Sequence, residues 1–321
     1  MSLEDKVLEL LRREMGRYVS GTEIATILGV SRMAVNKAVS NLRKRGFLIE
    51  AHPRLGYRLL SLDDLRLLES YLRDLATALR YKVIYMEEVA STQDMARALA
   101  EEGAAEGTIV IAEEQSSGRG RLGRPWISPR GGLWFTILLR PRITPSRLAL
   151  ISLLSSVAIA LGVMDITGLK PRLKWPNDVI LKGRKLAGVL VEASVEADVV
   201  RHCLVGVGVN VNNKIPIELE GEAISLKEVL EAEVPRVVLM RSLIRRFDEL
   251  YVALMRGMVR SILDVWRSLS DTLGRKVRVL SYQGELEGIA TDIDEEGALI
   301  LRIDKKKMRV RAGDVIYLRS S

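Results

Sequence analysis

A segment rich in arginine and glycine carries the strongest chemical signal in this chain of 321 residues. Three arginines alternate with three glycines in GRGRLGR, residues 118–124, and Trp126 follows after one proline. Glycine lets the backbone approach a ligand closely, and the planar guanidinium group holds a carboxylate or a phosphate with two hydrogen bonds. The GxxxxGK[ST] pattern of a P-loop is absent from the sequence. The segment therefore predicts a flexible cationic loop that binds an anion.

A second polar group lies in KWPND, residues 174–178, and in the strand predicted after it. Asn177 and Asp178 lead into one strand, and Lys185 opens the next. An amide and a carboxylate beside lysines suit a site where Mg²⁺ and phosphates meet. Gly188 would let a ligand lie close against the second strand. A hairpin turn with ordinary surface charge is the alternative interpretation.

Small hydroxyl residues stand at a strand-to-helix junction in ASTQD, residues 90–94. A strand-like run, 83–86, precedes them, and an alanine-rich helical run, 95–100, follows. Hydroxyl groups at such a junction usually cap the helix. Ser91 and Thr92 could equally offer their hydroxyls to a polar ring around a ligand.

The segment GVGVN, residues 206–210, contains a GxG pair. A dinucleotide-binding turn needs a third glycine at GxGxxG spacing and a helix that begins there, and the sequence has neither. The alternation of small and β-branched residues instead predicts a buried strand that ends in polar residues.

Taken in order, GRGRLGRPW, KWPND, KLAG and GVGVN resemble the biotin–protein ligase family, and the basic head of the chain makes it similar to the bifunctional biotin operon repressors. The resemblance spans essentially the whole chain. It implies an α/β (α+β) multidomain fold with an N-terminal winged helix-turn-helix, a central mixed-sheet, class II synthetase-like ligase domain and a C-terminal SH3-like β-barrel. We place these domains at 1–62, 63–270 (with a helical connector at 63–81) and 271–321.

The resemblance also implies a role for each residue that matches a family motif. Biotin is expected beside Ser91, Thr92, Gln115, Gly118, Arg119, Gly120, Arg121, Lys185 and Gly188. ATP and the adenylate are expected beside Arg119, Arg121, Arg124, Trp126, Lys174, Asn177, Asp178 and Asn210. The residues expected to act in catalysis are Lys185, Arg119, Arg121 and Asp178. Gln93 stands where the family often has Asn, which leaves its role open.

The implied reaction has two steps and needs ATP and Mg²⁺. The biotin carboxylate attacks the α-phosphate to give biotinoyl-5′-AMP, and a lysine of a biotin carboxyl carrier protein then attacks the adenylate. No Ser, Cys or Lys stands next to a clear general base, so we expect no covalent enzyme intermediate. Asp178 either positions the incoming amine or binds Mg²⁺, and the sequence leaves both roles open.

Three alternatives remain. A lipoate-type acyl-adenylate ligase shares the fold and the chemistry, but the GRGRLGRPW and KWPND segments argue against it. A biotin-sensing transcription regulator without ligase activity would not need the full set of Arg119, Lys185 and Asp178. A ligase whose head serves only for packing would not bind DNA.

The first 62 residues predict a DNA-binding head. They carry eleven Lys and Arg against six Asp and Glu, so most of the net charge of +8 lies there. Two predicted helices flank a turn at Gly29, Ser31 can cap the second of them, and a hairpin wing follows, which is typical of a winged helix-turn-helix. A solvated basic helix is the alternative. The residues expected to contact operator DNA are Ser31, Arg32, Asn36, Lys37, Ser40 and Arg43.

The composition favours a cytoplasmic protein. A single cysteine, Cys203, excludes an internal disulfide framework. No apolar run of 18 uncharged residues indicates a membrane span, and the first residues lack the pattern of a signal peptide. The resemblance further implies a homodimer, with biotinoyl-5′-AMP as corepressor. Short alternating runs from Leu273 onward predict the small barrel.

Overall fold

The computed structural model describes residues 2–44, 47, 49–60, 63–73, 75–281 and 284–318. Two compact units divide the chain. The first comprises Met1–Asp74 with Pro235–Arg241, and the second comprises Leu75–Val234 with Ser242–Ser321. The second unit therefore contains all the residues that the sequence assigns to ligand binding and catalysis, together with the tail.

The first unit begins with three helices whose starts are fixed by serine side chains. The hydroxyls of Ser2, Ser20 and Ser31 each accept a hydrogen bond from a backbone N–H three residues later, which satisfies a donor that a helix start leaves open. The predicted cap at Ser31 is thereby confirmed. The helices of this part are α1, Leu3–Arg13; α2, Gly21–Leu28; α3, Arg32–Lys44; and α4, Leu68–Arg73.

A two-stranded wing follows α3. Strands β1, Ile49–His52, and β2, Gly56–Leu59, pair antiparallel. Val19 exchanges backbone hydrogen bonds with Tyr57 and so extends the wing by one short bridge. A side chain at Gly56 would place its Cβ 2.2 Å from the Val19 carbonyl oxygen, so only glycine permits this close approach. The predicted hairpin is confirmed.

The helical connector predicted for 63–81 is wrong in its second half. A 3-10 turn at Leu65–Leu67 and α4 form the helical part, and residues 75–81 are not helical. The carboxylate of Asp248 accepts hydrogen bonds from the backbone N–H of Ala78 (2.8 Å) and of Leu79 (3.0 Å). A buried acceptor from a distant part of the chain therefore takes the donors that a longer helix would use.

A seven-stranded sheet forms the centre of the second unit, in the order β3-β4-β5-β9-β8-β7-β6. Strands β3 and β4 are parallel and all other neighbours are antiparallel, which makes the sheet mixed, as predicted. Helix α5, Thr92–Glu101, connects the parallel pair. The strands are β3, Lys82–Val89; β4, Thr108–Gln115; β5, Leu133–Leu139; β6, Arg172–Lys174; β7, Asp178–Leu181; β8, Arg184–Glu196; and β9, Val199–Val209.

The long helix α6, Leu148–Thr167, is the core helix of this unit. By length and composition the stretch Pro145–Thr167 could cross a membrane, but 67% of its most apolar window is buried inside the fold. It contacts β6, β7, β8 and α9, and Gly168, in the left-handed conformation, ends it. Most of its apolar surface is thus covered by the protein. The remaining helices are α7, Leu226–Leu230; α8, Arg236–Met255; and α9, Val259–Leu269.

The tail is a five-stranded antiparallel sheet in the order β13-β12-β11-β10-β14. Trp175 anchors it to the rest of the second unit, because its backbone N–H donates to Thr272 Oγ1 (2.9 Å) and its indole N–H donates to the Gly297 carbonyl (3.0 Å). The strands are β10, Lys276–Ser281; β11, Gly284–Ile293; β12, Leu299–Ile303; β13, Lys306–Val310; and β14, Asp314–Tyr317.

Asp248 generates a stability prediction. Its side chain accepts three hydrogen bonds, the third from the Tyr81 hydroxyl (3.1 Å), and the residue is 5% exposed. Asp248→Ala leaves three buried donors without this acceptor, so we expect the free energy of unfolding in urea to fall by about 2–4 kcal/mol. Asp264→Ala is the control, since that exposed carboxylate on α9 pairs only with Arg267 among the interactions observed. Equal losses for the two variants would contradict this account.

Candidate functional site

A cavity of about 440 Å³ in the second unit gathers residues that are far apart in sequence. It is formed by the start of α5, the end of β4, the loop before β5, strands β7, β8 and β9, the segment 215–223 that follows β9, and one residue of the tail. The predicted site residues that line it are Ser91, Thr92, Gln115, Arg119, Gly120, Arg121, Arg124, Trp126, Asn177, Asp178, Lys185, Gly188 and Asn210.

Neutral hydroxyl and amide groups line one side of the cavity. Gln115 Oε1 accepts hydrogen bonds from the backbone N–H (2.8 Å) and the hydroxyl (3.0 Å) of Thr92. The Thr92 hydroxyl also lies 2.9 Å from that of Thr136, which donates to Gln93 Oε1 at 3.1 Å. Ser91 caps α5 instead, by accepting from the Gln93 N–H. Of the two predicted hydroxyls, the structure thus uses one as a cap and one in the polar ring.

The glycines of β8 and β9 form a flat floor beneath these side chains. Gly188 and Gly208 are direct partners in the antiparallel pair. A Cβ at Gly208 would lie 2.3 Å from Nε1 of Trp126, and a Cβ at Gly188 would lie 3.1 Å from the same ring. The indole of Trp126 therefore lies against the backbone at the position where we expected the ligand alone, and it becomes part of the cavity wall.

The cationic loop is held in a compact shape by its own backbone. The Trp126 N–H donates to the Gly118 carbonyl and the Gly120 N–H donates to the Arg124 carbonyl, both at 2.8 Å. A Cβ at Gly118 would lie 2.4 Å from the Trp126 carbonyl oxygen, so this glycine allows the loop to close on itself. Gly118 lies outside the cavity lining that the described residues form. Its role in the loop is conformational.

Each arginine of the loop forms an ion pair with a carboxylate. Arg119 pairs with Asp94 of α5. Arg121 and Arg124 both pair with Asp314 of β14, and the distance from Arg121 Nη1 to Asp314 Oδ1 is 3.1 Å. Arg121 Nη1 also donates to Asn177 Oδ1 at 3.2 Å. The tail thus contributes a residue to the cavity and fixes the position of the loop.

A β-bulge turns Lys185 toward the cavity. The register between β7 and β8 shifts after Val179, so that Val179 pairs with Ala187 and Ile180 pairs with Lys185. Leu186 is the extra residue of the bulge. A bulge redirects a side chain, and here the Lys185 side chain lies 3.3 Å from where a Cβ on Gly188 would be. Its Nζ is 2.7 Å from Asp178 Oδ1 and 5.1 Å from the centre of the Trp126 ring.

Lys174 and Asn210 differ in their relation to the cavity. Asn210 lines it, and its Oδ1 accepts a hydrogen bond from the Asn213 amide at 3.0 Å. Lys174 lies outside the lining formed by the described residues, with its Nζ 4.8 Å from the centre of the Tyr317 ring. Burial lowers the pKa of Lys174, although the carboxylate of Asp178 opposes this shift. The structure therefore places Lys174 between the central sheet and the tail.

Sequence reasoning missed four residues that shape the cavity or position its loop, and it left the role of Gln93 open. Their roles depend on partners distant in sequence, for which no short motif gives a signal. A single polar residue in the apolar strand LWFTILL could have indicated Thr136. The missed residues are Asp94, Ser128, Thr136 and Asp314.

The described residues support neither a cysteine nucleophile nor a metal cluster held by protein side chains alone. Cys203 is fully buried, and burial raises the pKa of its thiol to about 12, so it is unsuited to act as a nucleophile. The described residues contain no group of three or more His, Cys, Asp or Glu side chains that could hold a metal ion.

The first unit presents a polar face on α3. Its apolar face is buried through Val35, Ala38, Val39 and Leu42. The predicted DNA-contacting residues, Ser31, Arg32, Asn36, Lys37, Ser40 and Arg43, are all exposed. Arg43 has a second role, because its Nε donates to the Ile49 carbonyl at 2.7 Å and so ties the helix to the wing.

Three protein-family models match the chain. They are the biotin/lipoate A/B protein ligase family over residues 85–210, a helix-turn-helix domain over 4–58 and the biotin protein ligase C-terminal domain over 272–317. The bifunctional ligase/repressor BirA of Bacillus subtilis is 34% identical and is aligned over 98% of both chains. The protein of the same name from Escherichia coli is 30% identical, over 93% of this chain and 92% of that protein.

A solved structure also matches. The biotin protein ligase from Aquifex aeolicus in complex with biotin and ATP superimposes with a TM-score of 0.65 and 30% sequence identity. The match covers 74% of this chain and 99% of that chain.

The ion pairs of Asp314 generate a prediction about the loop. Asp314→Ala removes the carboxylate that holds Arg121 and Arg124, so residues 118–126 become mobile. We expect limited trypsin digestion within this loop to become about 5- to 20-fold faster, because local opening governs cleavage. Glu285→Ala, an exposed carboxylate of the same small sheet that pairs only weakly with Arg278, is the control. An unchanged cleavage rate for Asp314→Ala would show that the loop is held by other contacts.

Proposed function

Since the chain belongs to the family of bifunctional biotin protein ligases and repressors, we propose that it joins biotin to a lysine of a carrier protein with ATP and represses transcription through its first unit. One observation carries the ligase proposal. Neutral hydrogen-bonding groups and paired cations line the same cavity, over the same glycine floor. Biotin has a neutral ureido ring at one end and a carboxylate at the other.

The orientation of biotin follows from the order of groups along β9. Gly206 faces Gln93 of the neutral network, whereas Gly208, two residues later, faces Trp126. Two residues of a strand span roughly 7 Å. The ureido ring then lies beside Thr92 and Gln115, and the carboxylate points toward Lys185 and Trp126.

The first step brings two anions together. The biotin carboxylate oxygen attacks the α-phosphorus of ATP, and the bond to pyrophosphate breaks. Lys185, Arg121 and Arg119 neutralise the approach and the negative charge that develops on the phosphate oxygens. The adenosine part of the adenylate is placed beside Trp126, Asn177 and Asn210.

Magnesium fits the site as a companion of ATP. One carboxylate, Asp178, and one amide oxygen, of Asn177, lie beside Lys185 and Arg121, which is the sparse protein ligand set that Mg²⁺ accepts when phosphates supply the rest. When bound, Mg²⁺ would neutralise charge on the phosphates. Asp178 would be its protein ligand, and its ion pair with Lys185 would then be exchanged for the metal.

The second step transfers biotin to the carrier. A neutral lysine amine of the biotin carboxyl carrier protein attacks the acyl carbon, the bond to AMP breaks, and the amine proton leaves to solvent. The loop at 118–126 keeps water from the adenylate until the carrier arrives. Asp314 supports this role because it holds two of the loop arginines.

The two rival functions fit the cavity less well. Lipoate carries an apolar dithiolane ring, which would leave Thr92 and Gln115 facing a ligand without N–H groups. A pocket that only senses biotin would not need three arginines and a lysine around one carboxylate. The ligase is therefore favoured over both.

One experiment tests the ligase proposal directly. The protein is mixed with Mg-ATP and equal amounts of biotin and lipoate, and the bound molecule is identified by mass spectrometry. We expect biotinoyl-5′-AMP, and we expect Lys185→Gln to slow its formation by roughly 10²–10³-fold because a preorganised charge is lost. Arg130→Gln, which is outside the cavity lining, is the control. Lipoyl-AMP would assign the chain to the lipoate ligases, and bound, unreacted biotin would leave only the sensing role.

We further propose that the repressor acts in the cytoplasm as a homodimer, with biotinoyl-5′-AMP as corepressor. The exposed residues of α3 face the major groove, where Asn36 can read a base and Lys37 can hold a phosphate. Two copies of such a helix would recognise two half-sites of an operator.

The DNA proposal is tested on a duplex that the protein itself selects from a random library. Binding should tighten when biotin and Mg-ATP are both present. Lys37→Gln should weaken binding and reduce the slope of log K against log salt by about 0.9, the value for one lost phosphate contact. Lys6→Gln, an exposed lysine of α1, is the control. Identical salt slopes for the two variants would remove Lys37 from the interface.

A further inference from the structure

We propose that Gln93 fixes the direction of the hydrogen bonds on the neutral side of the cavity and thereby makes this side accept N–H donors. The inference rests on the proposed function, because it concerns how the ureido ring of biotin is recognised. Gln93 lines the cavity in the first turn of α5 and is 4% exposed. A buried amide of this kind needs partners, and its partners show its orientation.

The orientation of the Gln93 amide follows from the chemistry of its neighbours. Its Nε2 donates to the backbone carbonyl oxygen of Leu204 at 3.4 Å. A carbonyl oxygen only accepts hydrogen bonds, so the amide nitrogen must face Leu204 and Oε1 must face Thr136. The space for Oε1 exists because residue 206 is glycine, where a Cβ would lie 2.5 Å from this oxygen.

The orientation of the Gln93 amide determines which threonine hydroxyl donates and which accepts. The Thr136 hydroxyl has one proton, which it donates to Gln93 Oε1 at 3.1 Å. Thr136 Oγ1 therefore faces Thr92 Oγ1, 2.9 Å away, as an acceptor. The Thr92 proton then goes either to Thr136 or to Gln115 Oε1, which is 3.0 Å away. In both arrangements Thr92 has no proton left for a ligand.

The cavity consequently presents the lone pairs of Thr92 Oγ1 on this side, and a lone pair of Gln115 Oε1 as well when the Thr92 proton goes to Thr136. A ligand that offers N–H groups complements them, as the cyclic urea of biotin does. A ligand with only acceptors or an apolar ring leaves them unpaired, and a site built for a hydrogen bond strongly rejects an analogue without that group. Gln93 is thus a positioning residue that contributes to the choice of substrate through Thr136.

The test measures biotin affinity in a double-mutant cycle. Gln93→Met keeps the length of the side chain but removes its amide, so Thr136 is free to donate to Thr92 Oγ1 and then occupies a lone pair that the ligand would otherwise use. We expect the biotin Kd, from calorimetric titration without ATP, to rise about 5- to 20-fold. Thr136→Val should raise it similarly. In the Thr136→Val background, Gln93→Met should add less than about twofold, because both variants disrupt the same chain of hydrogen bonds.

A second measurement separates this role from general damage to the fold. The KM for ATP, followed by pyrophosphate release, should stay within about twofold of wild type in Gln93→Met, since ATP is expected at Trp126 and not at the ureido side. Leu99→Met is the matched control on the same helix: Leu99 packs against the apolar core outside the cavity lining, and its biotin Kd should not change. Equal rises in the biotin Kd and the ATP KM would overturn the inference.

Two further outcomes distinguish a failure of the Gln93 inference from a failure of the ligase proposal. If the effects of Gln93→Met and Thr136→Val simply multiply, Gln93 does not act through Thr136 and the inference is wrong, while the ligase proposal stands. If the wild-type protein binds biotin but forms no adenylate, the ligase proposal is wrong, and the titrations with biotin alone still decide the role of Gln93.

Discussion

Four cationic side chains meet around one cavity, and their mutual repulsion is the constraint on which the site depends. Arg119, Arg121, Arg124 and Lys185 are all paired with carboxylates, which come from three separate elements: Asp94 of α5, Asp178 of β7 and Asp314 of β14. Like charges confined near each other destabilise a fold unless counter-charges offset them. The position of the loop therefore depends on the tail sheet, which makes the tail part of the site.

A steric constraint explains why the strands beneath the cavity are rich in glycine. Trp126 and Gln93 need space over β8 and β9, and a Cβ at Gly206 or Gly208 would lie within 2.5 Å of them. The glycines thus admit protein side chains to the floor, and those side chains divide the cavity into a neutral side and a charged side. A ligand with one neutral and one anionic end is held in a single orientation by this division.

Much of the fold follows from local sequence signals. The serine cap of α3, the strand predicted from the small and β-branched residues at the end of β9, and the wing hairpin depend on neighbouring residues, and the structure confirms them. The positions of the site residues outside the motifs depend on contacts with residues that are distant in sequence. Asp314 lies 193 residues from Arg121, and the bulge that turns Lys185 inward depends on the register between two strands. Lys174 belongs to a strong motif, yet its position beside Tyr317 depends on how the tail packs against the central sheet.

The ion pairs of the loop are strong enough to orient the loop. They are also weak enough for the arginines to exchange a carboxylate partner for a phosphate. Arg119 and Arg124 are 39% and 64% exposed, and exposed pairs of this kind typically contribute roughly 0–1 kcal/mol each. A phosphate in a more desolvated position offers Arg119 a stronger hydrogen bond than Asp94 does. Breaking these ion pairs costs little free energy. Most of the interaction energy with a bound phosphate therefore remains available to close the loop. In the proposed mechanism the loop can therefore hold a reactive adenylate and still open for the acceptor lysine, whose attack then releases AMP.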